Sequence, residues 1–406
     1  MSIFREIPPT AGFTLGAQEL FSPLFNRNAP GSFEEDFRKY LGLPYARITY
    51  SGTAAFFNIL QALKKISQKR TVIIPAFICP LIPLAVKRAG LNLKICDINP
   101  DNLDFDHKQL REICAQDDDV LAILATHLAG IPVDLDKIKE AAKNSRAFVI
   151  EDCAQSLGAE YQEKKVGSIG DFSFFSLCRG KGMTIYEGGV IAAKNPEYFP
   201  MIDAQLKENE NIAPLSEALK IIELYGYSFM YRPFFFWWAF RLPQLYWLAR
   251  GDKIKAAGDY FTEDFPLQRV SELRKRVGHF QFNRLDKEIV QQRAKAEIYI
   301  EGLKGNADIK PITEIAGTLS TYPFLTILFD DAEKRNAALN ILAKTGLGIS
   351  QIYAYALPDY GYLQNIRPGQ TTPNARSLAT RHITLSTNSQ LKTCELKKVI
   401  TKIKEL

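Results

Sequence analysis

The chain has 406 residues, a net charge of +6 from 51 Lys and Arg against 45 Asp and Glu, 46% hydrophobic residues and 24% charged ones. Its length exceeds the roughly 250–300 residues at which a single core stops growing, so two domains or one domain with an appendage are expected, and the composition excludes a disordered or fibrous chain. Lys and Arg are scattered and form no stripe that could follow a phosphate backbone, which argues against nucleic acid as a partner.

Six cysteines (Cys79, Cys96, Cys114, Cys153, Cys178, Cys394) form no CxxC pair and no metal-ligand spacing, and four scattered histidines point to no zinc site. The N-terminus MSIFREIPP lacks the apolar run of a signal peptide, so a reducing cytoplasm is the simple expectation.

From about 35 to 200, helical and extended patterns alternate, which predicts a layered α/β domain. Phe56, Ile59, Leu60 and Leu63 share one helical face, followed by a strand-like run Val72, Ile73, Ile74 and then Pro75. Leu121 to Ala125, Phe148 to Ile150 and Phe172 to Phe175 read as buried strands. Ligands collect at the carboxyl ends of strands in open parallel sheets, so Thr126, His127, Glu151 and Asp152 are the positions to examine. His127 is expected to be a hydrogen-bonded residue at a strand end, not a catalyst.

The block from about 205 to 262 contains a stretch, 225 to 250, with all three tryptophans (Trp237, Trp238, Trp247) and many Phe and Tyr. Arg232, Pro233, Arg241 and Pro243 should break it into short pieces, too short for the ~20 apolar residues of a membrane span. Aromatic and arginine enrichment suits a buried or subunit interface, and equally a peripheral membrane contact. The run from about 282 to 303 predicts an exposed, charge-paired helix joining two domains. Beyond it come a strand at Phe324 to Phe329, a helix over about 331 to 345 ended by Gly346, a short strand at Ile349 to Tyr353, and a basic amphipathic helix LKTCELKKVITKIKEL. The division is 1–285 for an N-terminal arm and large domain, with 205–262 as an insertion, and 286–406 for a small α+β domain.

Three clusters carry chemistry. Ser51, Gly52, Thr53 and Ala54 open a helix after an extended run, where free N–H groups and the helix dipole suit a phosphate, although Ser and Thr are also ordinary caps. Asp152, in the run Glu151 to Gln155 at the end of a buried strand, needs a cationic partner; a protonated pyridine nitrogen is one, and a helix-capping role is the other reading. In FSLCRGKG (175–182) Lys181 stands between two glycines in a tight loop, where its amine can reach a bound aldehyde.

Together these blocks resemble the DegT/DnrJ/EryC1/StrS sugar aminotransferases of the fold-type I pyridoxal-phosphate enzymes. The likeness runs through GSFEEDFRKYLG (31–42), SGTAA (51–55), VIIPAF (72–77), ATHLAGIPVDLDKI (125–138), the long block VIEDCAQSLGAEYQEKKVGSIGDFSFFSLCRGKGMTIYEGG (149–189) and, less strongly, RVSELRKRVGHFQFNRLDKEI (269–289). The resemblance implies a large three-layer domain with a mixed, mostly parallel sheet, a small α+β C-terminal domain, and pyridoxal 5'-phosphate as cofactor. It implies that Lys181 bonds to the cofactor and carries the proton, that Asp152 pairs with the pyridinium, that Gln155 lies beside the phenolic oxygen, and that Gly52, Thr53, Ala54 and Ser176 meet the phosphate. Cys79 falls where the family has a ring-stacking aromatic, and Phe77 points elsewhere if the backbone there is extended. The partner-subunit asparagine of the family falls near Leu267, and a histidine becomes Ile352 beside Tyr353. Arg179 and Tyr353 are candidate substrate contacts.

The implied function is transfer of an amino group from an amino acid, glutamate foremost, to a nucleotide-linked keto-sugar in surface-polysaccharide or secondary-metabolite biosynthesis, by a cytoplasmic homodimer. A branch of the family with histidine in place of the lysine dehydrates its sugar, so lysine at 181 favours transamination. The alternatives are a sugar dehydratase or deoxygenating enzyme, and a non-catalytic regulatory or membrane-associated member of the same fold.

Overall fold

The computed structural model describes residues 4–25, 32–208, 213–366 and 371–405. Its centre is a seven-stranded sheet in the spatial order Tyr45–Thr49, Gly189–Ala193, Phe172–Ser176, Phe148–Asp152, Val120–Thr126, Thr71–Pro75, Asn92–Cys96. Gly189–Ala193 runs antiparallel to both neighbours, and the other pairings are parallel. Parallel strands need crossovers, and helices supply them on both faces, which buries the central strands on both sides. Val120–Thr126 is buried at all seven positions; Ala122 and Leu124 join the core on one face, Ile123 and Ala125 the core on the other. The three-layer α/β fold read from the sequence is therefore present.

Because the strands are parallel, the carboxyl ends Thr49, Ser176, Asp152 and Thr126 line one edge, where Gly189 pairs with both Thr49 and Ser176. The helix Gly52–Ile66 starts at that edge, capped by Ser51 Oγ, which accepts from Ala54 N–H at 3.0 Å; Lys64 and Lys65 in its last turn complement its dipole. A second, three-stranded antiparallel sheet, Ile309–Pro311, Phe324–Phe329 and His382–Ser386, packs with the helices Ala332–Leu342, Pro373–Arg381 and Thr393–Lys404.

Three expectations need correction. The charged helix begins ten residues earlier than read, at Glu272 with Ser271 as its cap, and runs to Leu303 through the 285/286 division. It is not simply an exposed linker: Arg274, Val277, Gln281, Leu285, Ile289 and Gln292 form a buried stripe at helical spacing. The strand expected at Ile349 to Tyr353 is a single bridge, Ser350 to Thr384. Beyond it side chains take the backbone amides: His382 Nε2 accepts from Ile352 N–H at 2.9 Å and Asp259 Oδ2 from Ala354 N–H at 2.7 Å.

The aromatic block is also more continuous than expected. Arg232 is extended and ends the helix Pro214–Met230, as read. Arg241 and Pro243 break nothing: Pro233–Phe236, a π-helical turn Trp237–Arg241 and Leu242–Ala249 follow one another without a gap. Pro243 has no N–H to give, and the π turn, with Leu242 N–H donating to Trp237 O, shifts the ladder so that the helix continues. Among the described residues no helix is long and apolar enough to cross a membrane.

Candidate active site

Asp152 ends its strand fully enclosed, and burial is the largest influence on it, pushing its carboxyl from 3.8 to about 6 against the pull of the Ala154 N–H and of the Lys181 and His127 charges. Its Oδ1 accepts from Ala154 N–H at 3.0 Å. Glu151, one residue earlier on the opposite face, fares differently. Its oxygens accept from Gly167 N–H (2.7 Å), Ile169 N–H (2.8 Å) and Gly170 N–H (2.6 Å) and meet His127 Nε2 at 3.1 Å. Burial is again the largest influence, but these bonds together outweigh it and hold Glu151 below the usual carboxylate range.

His127 accepts from Val133 N–H at Nδ1, so Nε2–H donates to Glu151, and its own N–H donates to Asp152 O at 3.1 Å. It is the hydrogen-bonded strand-end residue expected. His127, Glu151 and Cys153 offer ligand atoms within 4.8 Å of one another. The imidazole and carboxylate are committed to this network and burial pushes the Cys153 thiol far up, so the trio reads as structural.

Lys181 lies in the turn after Phe172–Ser176 and is half-buried. Gly180 has φ +73°, and Lys181 N–H donates back to Cys178 O, the tight loop expected from flanking glycines. Lys181 faces a cleft that it shares with Ala154, Gln155, Ser176, Thr10 and Thr321. Its charge acts on both Asp152 and Cys79, which brings the amine and the carboxylate read from separate motifs to one place.

Gln155 lines the cleft and its Oε1 accepts from Ala129 N–H at 2.9 Å. Gly52 packs on Ser176: a Cβ at Gly52 would meet the Ser176 Cβ at 3.1 Å and Phe175 O at 3.3 Å. The start of the helix, with half-buried Thr53 and buried Ala54, therefore adjoins the cleft-lining serine. Ala54 also borders a second cavity, of about 500 Å³, with Arg38, Arg47, Arg269 and Lys275. Cys79 is half-buried and its thiol is pushed up to about 12, chiefly by burial. Phe77 points away, its ring edge-on to Tyr353 at 5.4 Å and to His382 at 5.4 Å.

Tyr353 is buried, which pushes its hydroxyl well above the usual phenol range, and it lies near Cys79, Asp152 and Asp259. Arg179 is exposed, donates to Tyr186 Oη at 3.0 Å and lies 5.1 Å over that ring, outside the Lys181 cleft. Leu267 is half-buried and lines the second cavity.

The motifs do not announce the groups that hold the lysine turn. Tyr231 Oη donates to Thr10 O at 3.0 Å and accepts from Gly12 N–H at 3.2 Å; a Cβ at Gly12 would lie 2.6 Å from both Gly180 Cα and Tyr231 Oη, so three distant segments meet there. Gln281 Oε1 accepts from Thr184 N–H and its Nε2 donates to Thr184 O. Arg274, fully buried, pairs with Glu217 at 2.6 Å and donates to Ile185 O and Glu187 O. The insertion's first helix thus clamps the loop that carries Lys181. The only sequence signal was an Arg and a Gln on the buried stripe of a helix.

The donor set fits pyridoxal phosphate. Asp152 is a buried carboxylate held high for want of a full ion pair, the Thr126 hydroxyl beside it is buried without a hydrogen-bond partner, and an amine and a helix N-terminus face the same edge. A cationic ring nitrogen, an aldehyde and a phosphate answer these three.

The DegT/DnrJ/EryC1/StrS aminotransferase family model matches residues 26–207 and 256–404. The chain belongs to that family. The unmatched interval, 208–255, falls within the insertion read from the sequence. A Campylobacter jejuni UDP-4-amino-4,6-dideoxy-N-acetyl-beta-L-altrosamine transaminase is 32% identical over 171 residues, 42% of this chain and 45% of that protein. A Yersinia pseudotuberculosis GDP-4-keto-6-deoxy-D-mannose 3-dehydratase is 30% identical over 175 residues, 42% of this chain and 44% of that one. The chain thus spans less than half the length of these curated relatives. Helicobacter pylori PseC, an aminotransferase involved in pseudoaminic acid biosynthesis, superimposes with TM-score 0.76 over 99% of both chains at 17% identity, which shows the shared fold.

Proposed function

We infer that this family member is a pyridoxal-phosphate-dependent aminotransferase that moves an amino group from an amino acid, glutamate being the donor we name, to a keto-sugar attached to a nucleotide. The observation that carries the reading is that Lys181 and Gln155 line one cleft at the carboxyl edge of the sheet while the Lys181 charge reaches the buried Asp152 at the adjoining strand end. When bound, the cofactor supplies an aldehyde for the amine and a ring that takes up the electron pair left on the substrate carbon. Asp152, once beside a cation, gives up its proton and keeps the ring nitrogen charged. Gln155 is oriented by Ala129 N–H. Lys181 Nζ takes the proton from the donor's carbon and returns it on the far side of the reaction, acting as base and then acid.

Two features support the sugar reading over other amino-group acceptors: the family itself, and the names of the relatives that the chain matches. Lysine at 181 favours amination over the dehydration named for the Yersinia relative, and product analysis with and without glutamate separates the two. A homodimer is the assembly we read. Its support is the apolar side of the helix Pro214–Met230, where Leu215, Leu219 and Ile222 are exposed. The six cysteines are free, which supports a reducing compartment.

The test is Lys181→Ala. The variant is expected to lose the visible absorbance of the protein-bound cofactor and at least ~10²–10⁴-fold in turnover of nucleotide keto-sugars with glutamate, the range assigned to general acid–base groups. Undiminished turnover overturns the reading.

A further inference from the structure

The insertion and the small C-terminal sheet enclose a cavity of about 1020 Å³ that shares no lining residue with the Lys181 cleft. Arg335 stands in its wall, 8% exposed. Its guanidinium donates to His382 O (2.9 Å), Asn336 Oδ1 (2.8 Å), Gln351 Oε1 (2.8 Å) and Ala379 O (3.4 Å), all of them neutral acceptors. Among the described residues it forms no ion pair. Arg274, the other deeply buried guanidinium, has Glu217. A buried cation without a counter-charge is costly, and burial pulls the Arg335 ionisation down accordingly.

The rest of the lining adds positive charge. Arg376 is matched by Asp359 and Arg241 leans on Glu6, but Lys253 and Lys344 have no ion-pair partner among the described residues. Between these charges the walls are apolar: Phe240, Leu245, Leu248, Leu339 and Ile349.

The outer wall is the helical run 233–249, and its other side faces away from the protein. Phe234, Phe235, Trp238 and Leu242 are 41–52% exposed. Leu245 and Leu248 are themselves 40% and 46% exposed while lining the cavity, so the apolar surface is continuous from outside to inside. Cations flank it: Arg250 lies 4.5 Å over the Tyr246 ring and Lys255 4.5 Å over Trp247. Aromatic rings with cations at their edge are what a helix lying in a lipid interface presents.

We propose that this cavity takes the phosphate head of an anionic lipid, with Arg335 as its counter-ion and the apolar wall along its chain, while the 233–249 face rests on the membrane that supplies it. The run lies wholly in the interval the family model leaves unmatched, so the outer wall is an addition laid over Arg335 in the matched part, and the cavity does not depend on the chemistry at Lys181.

The experiment is co-sedimentation of the purified full-length protein with phosphatidylcholine vesicles, with and without phosphatidic acid, and with inorganic phosphate as competitor. The wild type is expected to partition at least tenfold better onto the phosphatidic acid vesicles, and millimolar inorganic phosphate should not release it. Arg335→Gln should abolish that preference. Because Arg335 is buried and its exchange also tests folding, Thr380→Trp, at an exposed place on the cavity rim, serves as the second variant and should do the same with an unchanged circular-dichroism spectrum. Phe234→Ser with Trp238→Ser should lower partition onto both vesicle types. Equal partition of the wild type onto the two, or a preference that survives Thr380→Trp, overturns the proposal. So does release by inorganic phosphate, which would make free phosphate the ligand, or a dimer broken by the Phe234 and Trp238 substitutions without any vesicle binding, which would make a second copy the occupant.

Discussion

The end of the strand Phe148–Asp152 and the turn that carries Lys181 hold the two halves of one site by opposite means. At the strand end everything is local. Glu151 is bound by three amides that follow it within nineteen residues and by His127 on the adjacent strand. The lysine turn is held from afar: Tyr231 and Glu217 come from the insertion, Arg274 and Gln281 from the long helix, Thr10 and Gly12 from the N-terminal arm. One half is built to stay rigid whatever surrounds it. The other is positioned in part by the very segment in which this chain departs from its family model, through Tyr231 and Glu217.

The sharpest way to break the local half is Glu151→Gln. The carboxylate accepts all its bonds, whereas an amide would turn an N–H₂ toward amides that also donate. A loss of roughly 3–5 kcal/mol in denaturant unfolding is expected, the cost of breaking one side of a buried charged network. Because its folded-state ionisation is held low, the stability Glu151 contributes is present above the unfolded carboxylate range and is lost as pH falls through its depressed value. A change below about 1 kcal/mol would mean the network is not rigid at all.

Asp152→Asn should go the other way in the cofactor-free protein. Its carboxyl is held up to about 6 from 3.8, so the folded state binds the proton more tightly than the unfolded one, and stability falls as pH rises between those values. Removing the charge should then stabilise the apoprotein by roughly 2–3 kcal/mol at neutral pH, at 1.36 kcal/mol per unit. The gain should vanish below pH 3.8. Cofactor retention should weaken in the same variant, since the ring nitrogen loses its counter-charge. A variant that is destabilised at neutral pH and still holds the cofactor would erase the contrast with Glu151.

The contrast also separates what was legible in the sequence from what was not. The parallel strands, the helix opened by Ser51, and the lysine between glycines all declare themselves by local pattern: a buried run, a cap, a turn residue. Placing Lys181 and Asp152 together follows from sheet order, because adjacent strands must end at one edge. Three things carried no local signature. The true start of the long helix at Glu272 was hidden because Arg274 and Gln281 look like surface residues until their buried partners are known. The Ile349–Tyr353 run has strand composition, but His382 takes the Ile352 amide and Asp259 the Ala354 amide just beyond it. Pro243 looked like a helix breaker because a π turn is not visible in composition. The first two misses are long-range partners overriding a local preference, and the third is a local shift of the helix ladder.

The remote half can be probed most gently at Tyr231, where Tyr231→Phe removes one oxygen and nothing else. That oxygen accepts from the buried Gly12 N–H and donates to Thr10 O, which also accepts from Asn388 Nδ2, so one buried amide loses its partner, a cost of about 1–2 kcal/mol. The hydroxyl also touches the ground over Gly180, where no Cβ would fit between arm and turn. If the insertion positions Lys181, the loss should appear in turnover as well as in unfolding: a fall in kcat of under tenfold with the cofactor still bound, since the amine is misplaced but present. If the insertion merely packs against the turn, thermal stability will drop while kcat stays at the wild-type value. Glu151, whose bonds reach neither the arm nor the insertion, should be indifferent in either case, so the loss of stability it carries on the acid side should keep its wild-type pH dependence.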